Sequence, residues 1–139
     1  MRIDAIFLRE LRLPLVKPFQ TSFGTTTDRR ILLVELRGEG LSGWGECVAG
    51  EHPFFSDETV DTAWLVIQQE LAPVLAAADP EHGGKCPGLF RQVRGHRMAK
   101  AALENAKRAT IRSFIRYLYL KLSLLIRAAP ELRFRKSDA

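Results

Sequence analysis

At 139 residues, with 46% apolar and 27% charged residues, the chain has the make-up of one globular domain, which excludes a disordered or collagen-like polypeptide and a second large domain. Cys47 and Cys86 form neither a CxxC pair nor a disulfide framework, so a reduced, cytoplasmic setting is expected. The net charge of +5 is uneven: from Lys107 to Ala139 nine Lys/Arg face only Glu131 and Asp138, whereas residues 1–106 hold 12 basic and 14 acidic residues.

Arg2, Asp4, Arg9, Glu10 and Arg12 interrupt the first thirteen residues, so no secretory leader is expected. Ile3, Ala5 and Phe7, followed by Leu11 and Leu13, predict a half-buried strand over residues 2–13. Pro14 and Pro18, which lack an N–H, are expected to end it. Phe19 to Thr27 is polar, small and glycine-containing, and reads as a mobile loop. Leu32, Val34 and Leu36 predict a second strand with one apolar face; Gly38-Glu39-Gly40 is a turn, and Leu41 to Val48 returns as a third strand carrying Trp44. Gly43 and Gly45 flanking Trp44 predict a close backbone approach or a bulge. Ala49 to Phe55 is a second loop.

Ser56-Asp57-Glu58-Thr59 reads as a helix start, with a hydroxyl cap and acidic residues at the positive end of the dipole. Val60, Ala63, Trp64, Ile67 and Leu71 form a helical stripe, which Pro73 is expected to bend or end. Asp79 to Gly88 is a loop, Leu89 to Val93 a short helix, and Met98 to Ala106 the opening of another. Three strands followed by helices define an α+β domain, a three-stranded antiparallel sheet packed on a helical part.

These segments, in this order, carry a resemblance. Pro18 to Gly24 after a strand, Gly43-Trp44-Gly45-Glu46-Cys47 closing a hairpin, Glu51 to Thr59, and Val93 to Glu104 together resemble the muconate-lactonizing branch of the enolase superfamily. Within that branch the likeness is to o-succinylbenzoate synthases that also racemise N-acylamino acids, and it spans residues 1–106. The resemblance implies a capping domain that closes over a barrel of alternating strands and helices. It implies two substrate-specificity loops, one at Phe19, Thr21, Ser22, Phe23 and Gly24, the other at Gly50, Glu51, Pro53, Phe54 and Phe55. The small substrate is expected to be a carboxylate, losing a proton beside the carboxyl group in a dehydration or a racemisation. The plainer reading of Phe19 and Phe23 is that they anchor their loop to the cap.

In the resembled family the chemistry belongs to the barrel. Its acidic residues hold a divalent cation, generally Mg2+, and two lysines, one from a Lys-x-Lys motif, move the proton. This chain has no Lys-x-Lys among Lys17, Lys85, Lys100, Lys107, Lys121 and Lys136. A barrel of that type takes about 200 residues or more, so the chain is expected to lack one, to have no catalytic residue of its own, and to bind no metal. Its expected partners are a barrel domain from elsewhere or a second copy of itself. The best local alternative for chemistry is the cluster Glu46, Glu51 and His52 near Asp57 and Glu58. Those last two are better read as helix-start charges, and His82 and His96 stand apart from any ligand spacing.

After Ala106 the likeness stops. Ile111, Phe114, Ile115, Leu118, Leu122, Leu125, Ile126 and Ala129 fall on one side of a helix, with Arg112, Arg116 and Arg127 away from it, and Pro130 is expected to end it. Residues 107–139 are therefore expected to be a separate, basic, helix-prone tail. A frameshift or rearranged gene end, a helix covering the cap face that a barrel would bury, and a basic helix bound to an anionic membrane or nucleic acid all remain open. The last belongs to the competing class of function, a non-enzymatic binding or structural module.

Overall fold

Leu32, Val34 and Leu36 alternate along one strand and all three are fully buried, which fixes the side of the sheet on which the core sits. The computed structural model describes residues 2–22 and 24–128, with the backbone alone for residue 114 and for 117–128. Strands β1 (Ala5–Thr21), β2 (Gly24–Gly38) and β3 (Leu41–Cys47) form an antiparallel meander in the order β1-β2-β3. The β2–β3 turn is a two-residue one, with Glu39 and Gly40 both at positive φ, the geometry that matches strand twist. The α+β class read from the sequence is what the chain adopts.

β1 departs from expectation in two ways. It runs through both prolines to Thr21, pairing Phe19 with Thr26 and Thr21 with Gly24, so the expected loop is the far end of a long hairpin. β1 is an edge strand, where a missing N–H costs no ladder bond, and a register shift between Pro14 and Phe19 takes up the irregularity. Its core-facing row is also the opposite one. Ile6 and Leu8, paired with Leu36 and Val34, pack on the core, while Phe7, Leu11 and Leu13 lie on the exposed outer row. Both rows of β1 are apolar, so alternation alone did not distinguish them.

The helical layer starts at α1 (Val60–Val66), capped by Thr59, whose hydroxyl accepts from Thr62 N–H while the Thr62 hydroxyl accepts from Thr59 N–H. Val60, Ala63, Ile67 and Leu71 of the predicted stripe are fully buried, with Trp64 half-buried at its edge. Pro73 does not end this run. A single wide turn at Ile67–Leu71, where Ala72 N–H reaches Ile67 O, comes before it, and α2 (Ala72–Ala78) continues. The expected loop from Asp79 holds a short 3₁₀ turn and α3 (Cys86–Leu89), and the helix expected at Leu89–Val93 is a 3₁₀ turn at Phe90–Gln92. Last comes α4 (Arg97–Ala128), 32 residues long.

The close approach predicted at Gly43 and Gly45 is the seat of α4. A Cβ on Gly45 would stand 2.9 Å from Ala102 C and Ala106 N and closer still to Ala102 O; one on Gly43 would meet Thr110 Oγ1 and Ala106 O. The helix is fastened at two further points. Glu58, buried, accepts from Met98 N–H at 2.9 Å and Ala99 N–H at 2.8 Å, capping α4 from 40 residues upstream. Lys107, fully buried, donates to Asp79 at 3.1 Å, and Asp79 also accepts from Ile3 N–H. Asp57 and Glu58 were expected to serve the nearer helix; Glu58 serves the later one. The amphipathic stripe past Ile115, the stop at Pro130 and the basic end lie outside the described side chains and residues.

Candidate functional site: a hairpin arm and the segment beside it

The inner row of the sheet changes character along its length. Beyond Leu32 on β2 come Arg30 and Asp28; beyond Leu8 on β1 come Glu10 and Arg12. Arg30 donates to Glu10 at 2.6 Å and to Asp61, in the first turn of α1, at 2.6 Å. Arg12 donates to Asp28 and, at 2.7 Å, to Glu51. The hydrogen bonds from Arg30 hold the Glu10 and Asp61 carboxyls below their ordinary range, and those that Arg12 donates to Glu51 and Asp28 raise Arg12 further.

The ionic row leads from the core to both segments singled out in the sequence. On the hairpin, Phe19 is 63% exposed, and the Thr21 hydroxyl donates to Gly24 O across the tip. Ser22 is exposed at the tip, and Phe23 lies outside the described residues. In the second segment Gly50 O accepts from Val60 N–H at 2.9 Å, and the Phe54 ring stacks on His52 at 5.3 Å. Pro53 is exposed, as are Phe54 (64%) and Phe55 (89%). In the second segment the Glu51 side chain is tied to Arg12 on the hairpin. Arg12, which makes that tie, was not singled out as a site residue in the sequence; charges scattered along an edge strand carry no spacing signal.

The alternative acidic cluster does not assemble. Glu46 is paired with Arg29 at 2.9 Å, Glu51 with Arg12, and Glu58 with the start of α4. Among the described residues no group of three His, Cys, Asp or Glu could hold a metal ion, so these side chains do not fit the divalent cation that the resemblance implies. Two shallow clefts, one beside Phe7 and Arg37 and one between Leu71 and Phe90, are not lined by residues 19–24 or 49–55. Among the described residues no helix is long and apolar enough to cross a membrane.

A three-stranded meander backed by helices, with a polar hairpin arm at one end, is the N-terminal domain type of the enolase superfamily. A solved enolase-superfamily member from Listeria innocua Clip11262 matches with a TM-score of 0.72 at 36% identity, over 76% of this chain and 29% of that one. The family model "Mandelate racemase / muconate lactonizing enzyme, N-terminal domain" matches residues 3–108, and the chain belongs to that family. An o-succinylbenzoate synthase of Geobacillus kaustophilus is 42% identical over 107 residues, 76% of this chain and 28% of the relative. An N-succinylamino acid racemase of Amycolatopsis sp is 42% identical over 106 residues, 76% of this chain and 29% of the relative. The solved 2-chloromuconate cycloisomerase of Rhodococcus opacus 1CP matches with a TM-score of 0.69 at 32% identity, over 76% of this chain and 29% of that one. The chain thus spans less than a third of the length of these relatives.

Proposed function

We propose that this chain is the capping portion of an o-succinylbenzoate synthase or N-acylamino acid racemase-like enzyme, shaping the pocket for a small carboxylate and leaving the chemistry to a barrel domain. One observation carries the reading: identity of 42% to a synthase and to a racemase is confined to 28–29% of their length, over a domain whose ionisable clusters are committed to ion pairs and helix capping. In this reading Phe19, Thr21, Ser22, Phe23 and Gly24 on the hairpin arm, with Gly50, Glu51, Pro53, Phe54 and Phe55 beside it, face the substrate. The exposed rings of Phe19, Phe54 and Phe55 supply apolar contact and exclude water on closure. The barrel brings the divalent cation that stabilises charge beside the carboxylate, and the bases that move the proton. Residues 1–106 are read as the cap and 107–139 as an added segment whose start, at Lys107 and Thr110, packs into the cap. The buried free thiols of Cys47 and Cys86 suit a reducing, cytoplasmic setting.

The test is a chimera. Residues 1–106 replace the matched region of the Geobacillus kaustophilus synthase, and synthase and racemase turnover are assayed with Mg2+ beside the 139-residue chain alone. The chimera is expected to turn over and the chain alone to be inert. Turnover by the chain alone, or a folded chimera inactive on both substrate classes, overturns the proposal.

A further inference from the structure

Arg12 and Arg30 stand directly opposite each other on β1 and β2, on the inner row. Two like charges in that relation repel unless each is matched. Both are matched twice: Arg30 by Glu10 and Asp61, Arg12 by Asp28 and Glu51. Three of these four carboxylates sit on the sheet or on α1; Glu51 alone lies in the 49–55 segment. Asp28 is the partner of Pro14, the last pair before the register shift, so Arg12 stands where the regular ladder gives way to the arm.

The start of the 49–55 segment is tied to the helical layer, where Gly50 O accepts from Val60 N–H. The contact between Arg12 and Glu51 couples the segment to the arm as well. We infer that Arg12 is a positioning residue, a clasp that holds the 49–55 segment on the β1–β2 arm so that the two present one joint surface. The inference rests on the reading of these segments as substrate-facing, and adds the residue that sets their mutual position. A guanidinium suits the role because its fork reaches two carboxylates at once, which an ammonium does as a point charge only.

Native-state proteolysis of the 139-residue chain tests it. Chymotrypsin cleavage after Phe54 and Phe55 reports how often the segment lifts, and urea midpoints report whether a variant keeps its fold. Arg12→Met and Glu51→Gln are each expected to speed that cleavage about two- to fivefold, the scale of an exposed ion pair. Arg12→Lys falls between them and the parent. Arg29→Met, which removes the similarly exposed pair with Glu46, leaves the rate unchanged. Added salt speeds cleavage of the parent relative to Glu51→Gln, because screening weakens a charge contact and not a packing one.

Parent-like rates in both Arg12→Met and Glu51→Gln overturn the clasp. So does an equal rise in Arg29→Met, or a parent-to-variant ratio indifferent to salt. Should Arg12→Met lose its fold, Glu51→Gln and the salt series decide alone. Cleavage is measured without substrate: an inactive chimera refutes the functional reading and leaves the clasp standing, while unchanged cleavage does the reverse.

Discussion

Gly45→Ala asks how much of the fold hangs on bare backbone contact between β3 and α4. The added methyl carbon would lie 2.9 Å from Ala102 C and Ala106 N and nearer still to Ala102 O, all of them helix backbone that no rotamer change can move aside. Relief requires α4 to lift, and α4 cannot lift freely while Glu58 holds its start and Lys107 its middle. Overpacking of a closed site costs about 1–3 kcal/mol, and a clash with backbone belongs at about 3 kcal/mol or more. Against a total stability of about 5–15 kcal/mol for a domain, that is a large share, and at this size it lowers Tm by at least about 10 °C. The control is Gly88→Ala in α3, where a Cβ meets nothing within 4 Å and φ is not positive. There the methyl should stabilise by about 0.5–1 kcal/mol through helix propensity. Urea unfolding followed by the fluorescence of Trp44 and Trp64 gives both numbers. A Gly45→Ala midpoint within about 0.5 kcal/mol of the parent would refute the seating of α4 on these glycines.

Three further outcomes follow from the same contacts. The hydrogen bond from Arg37, and then that from Arg9, holds the Glu35 carboxyl down to about 2 from 4.5. A depressed folded-state value means stability present at neutral pH and lost as pH falls through that range, so the parent's urea midpoint should drop between about pH 5 and pH 2 and Glu35→Gln should flatten the slope; equal slopes would refute it. Burial pushes the Cys47 thiol up to about 11 and raises that of Cys86, so both should resist alkylation at about pH 8 until urea unfolds the chain, and prompt labelling of the native protein would contradict this. Lys107 and Thr110 are fully buried, so a chain ending at Ala106 should be less stable than one ending at Arg112 by about 3 kcal/mol, from the buried methylenes of Lys107 alone; coincident midpoints would refute it.

Much of the framework was legible because it follows local rules. Leu32, Val34 and Leu36 alternate and are buried; the stripe from Val60 to Leu71 has helical period and is buried along Val60, Ala63, Ile67 and Leu71; Gly43 and Gly45 marked a close approach and have one. What was not legible depends on partners distant in sequence. Pro14 and Pro18 signal a strand end only if both edges of the strand are paired, and β1 has a free edge. Glu58 satisfies amides 40 residues away, which no capping pattern encodes. Lys107 and Thr110 read as the start of a charged tail, yet the first is matched by Asp79 and the second fills the space that Gly43 leaves. For the site, the exposed rings were visible as residue types, whereas the tie between the two segments was not. It needs β1 and β2 in register before Arg12 can reach Asp28 and Glu51 together.

That tie lies where the free energy of the fold runs low. Along one inner row, burial of Leu36, Val34 and Leu32 contributes about 1.5–3 kcal/mol each. The next positions, Arg30 and Asp28, opposite Arg12 and Pro14, are held by ion pairs between exposed or half-buried groups, which solvent screens and which contribute far less than a buried side chain. The same strands are thus anchored firmly at one end and lightly at the other. Local opening follows such a gradient: the arm and the 49–55 segment can part from the body at a cost far below that of global unfolding. On the function proposed above, a segment that admits a substrate and then closes over it needs that separation, since one locked into the apolar core could not open on the timescale of turnover. Extending the core outward, with Leu in place of Arg30 and Asp61, would by this logic raise the midpoint of unfolding while slowing the opening of the arm.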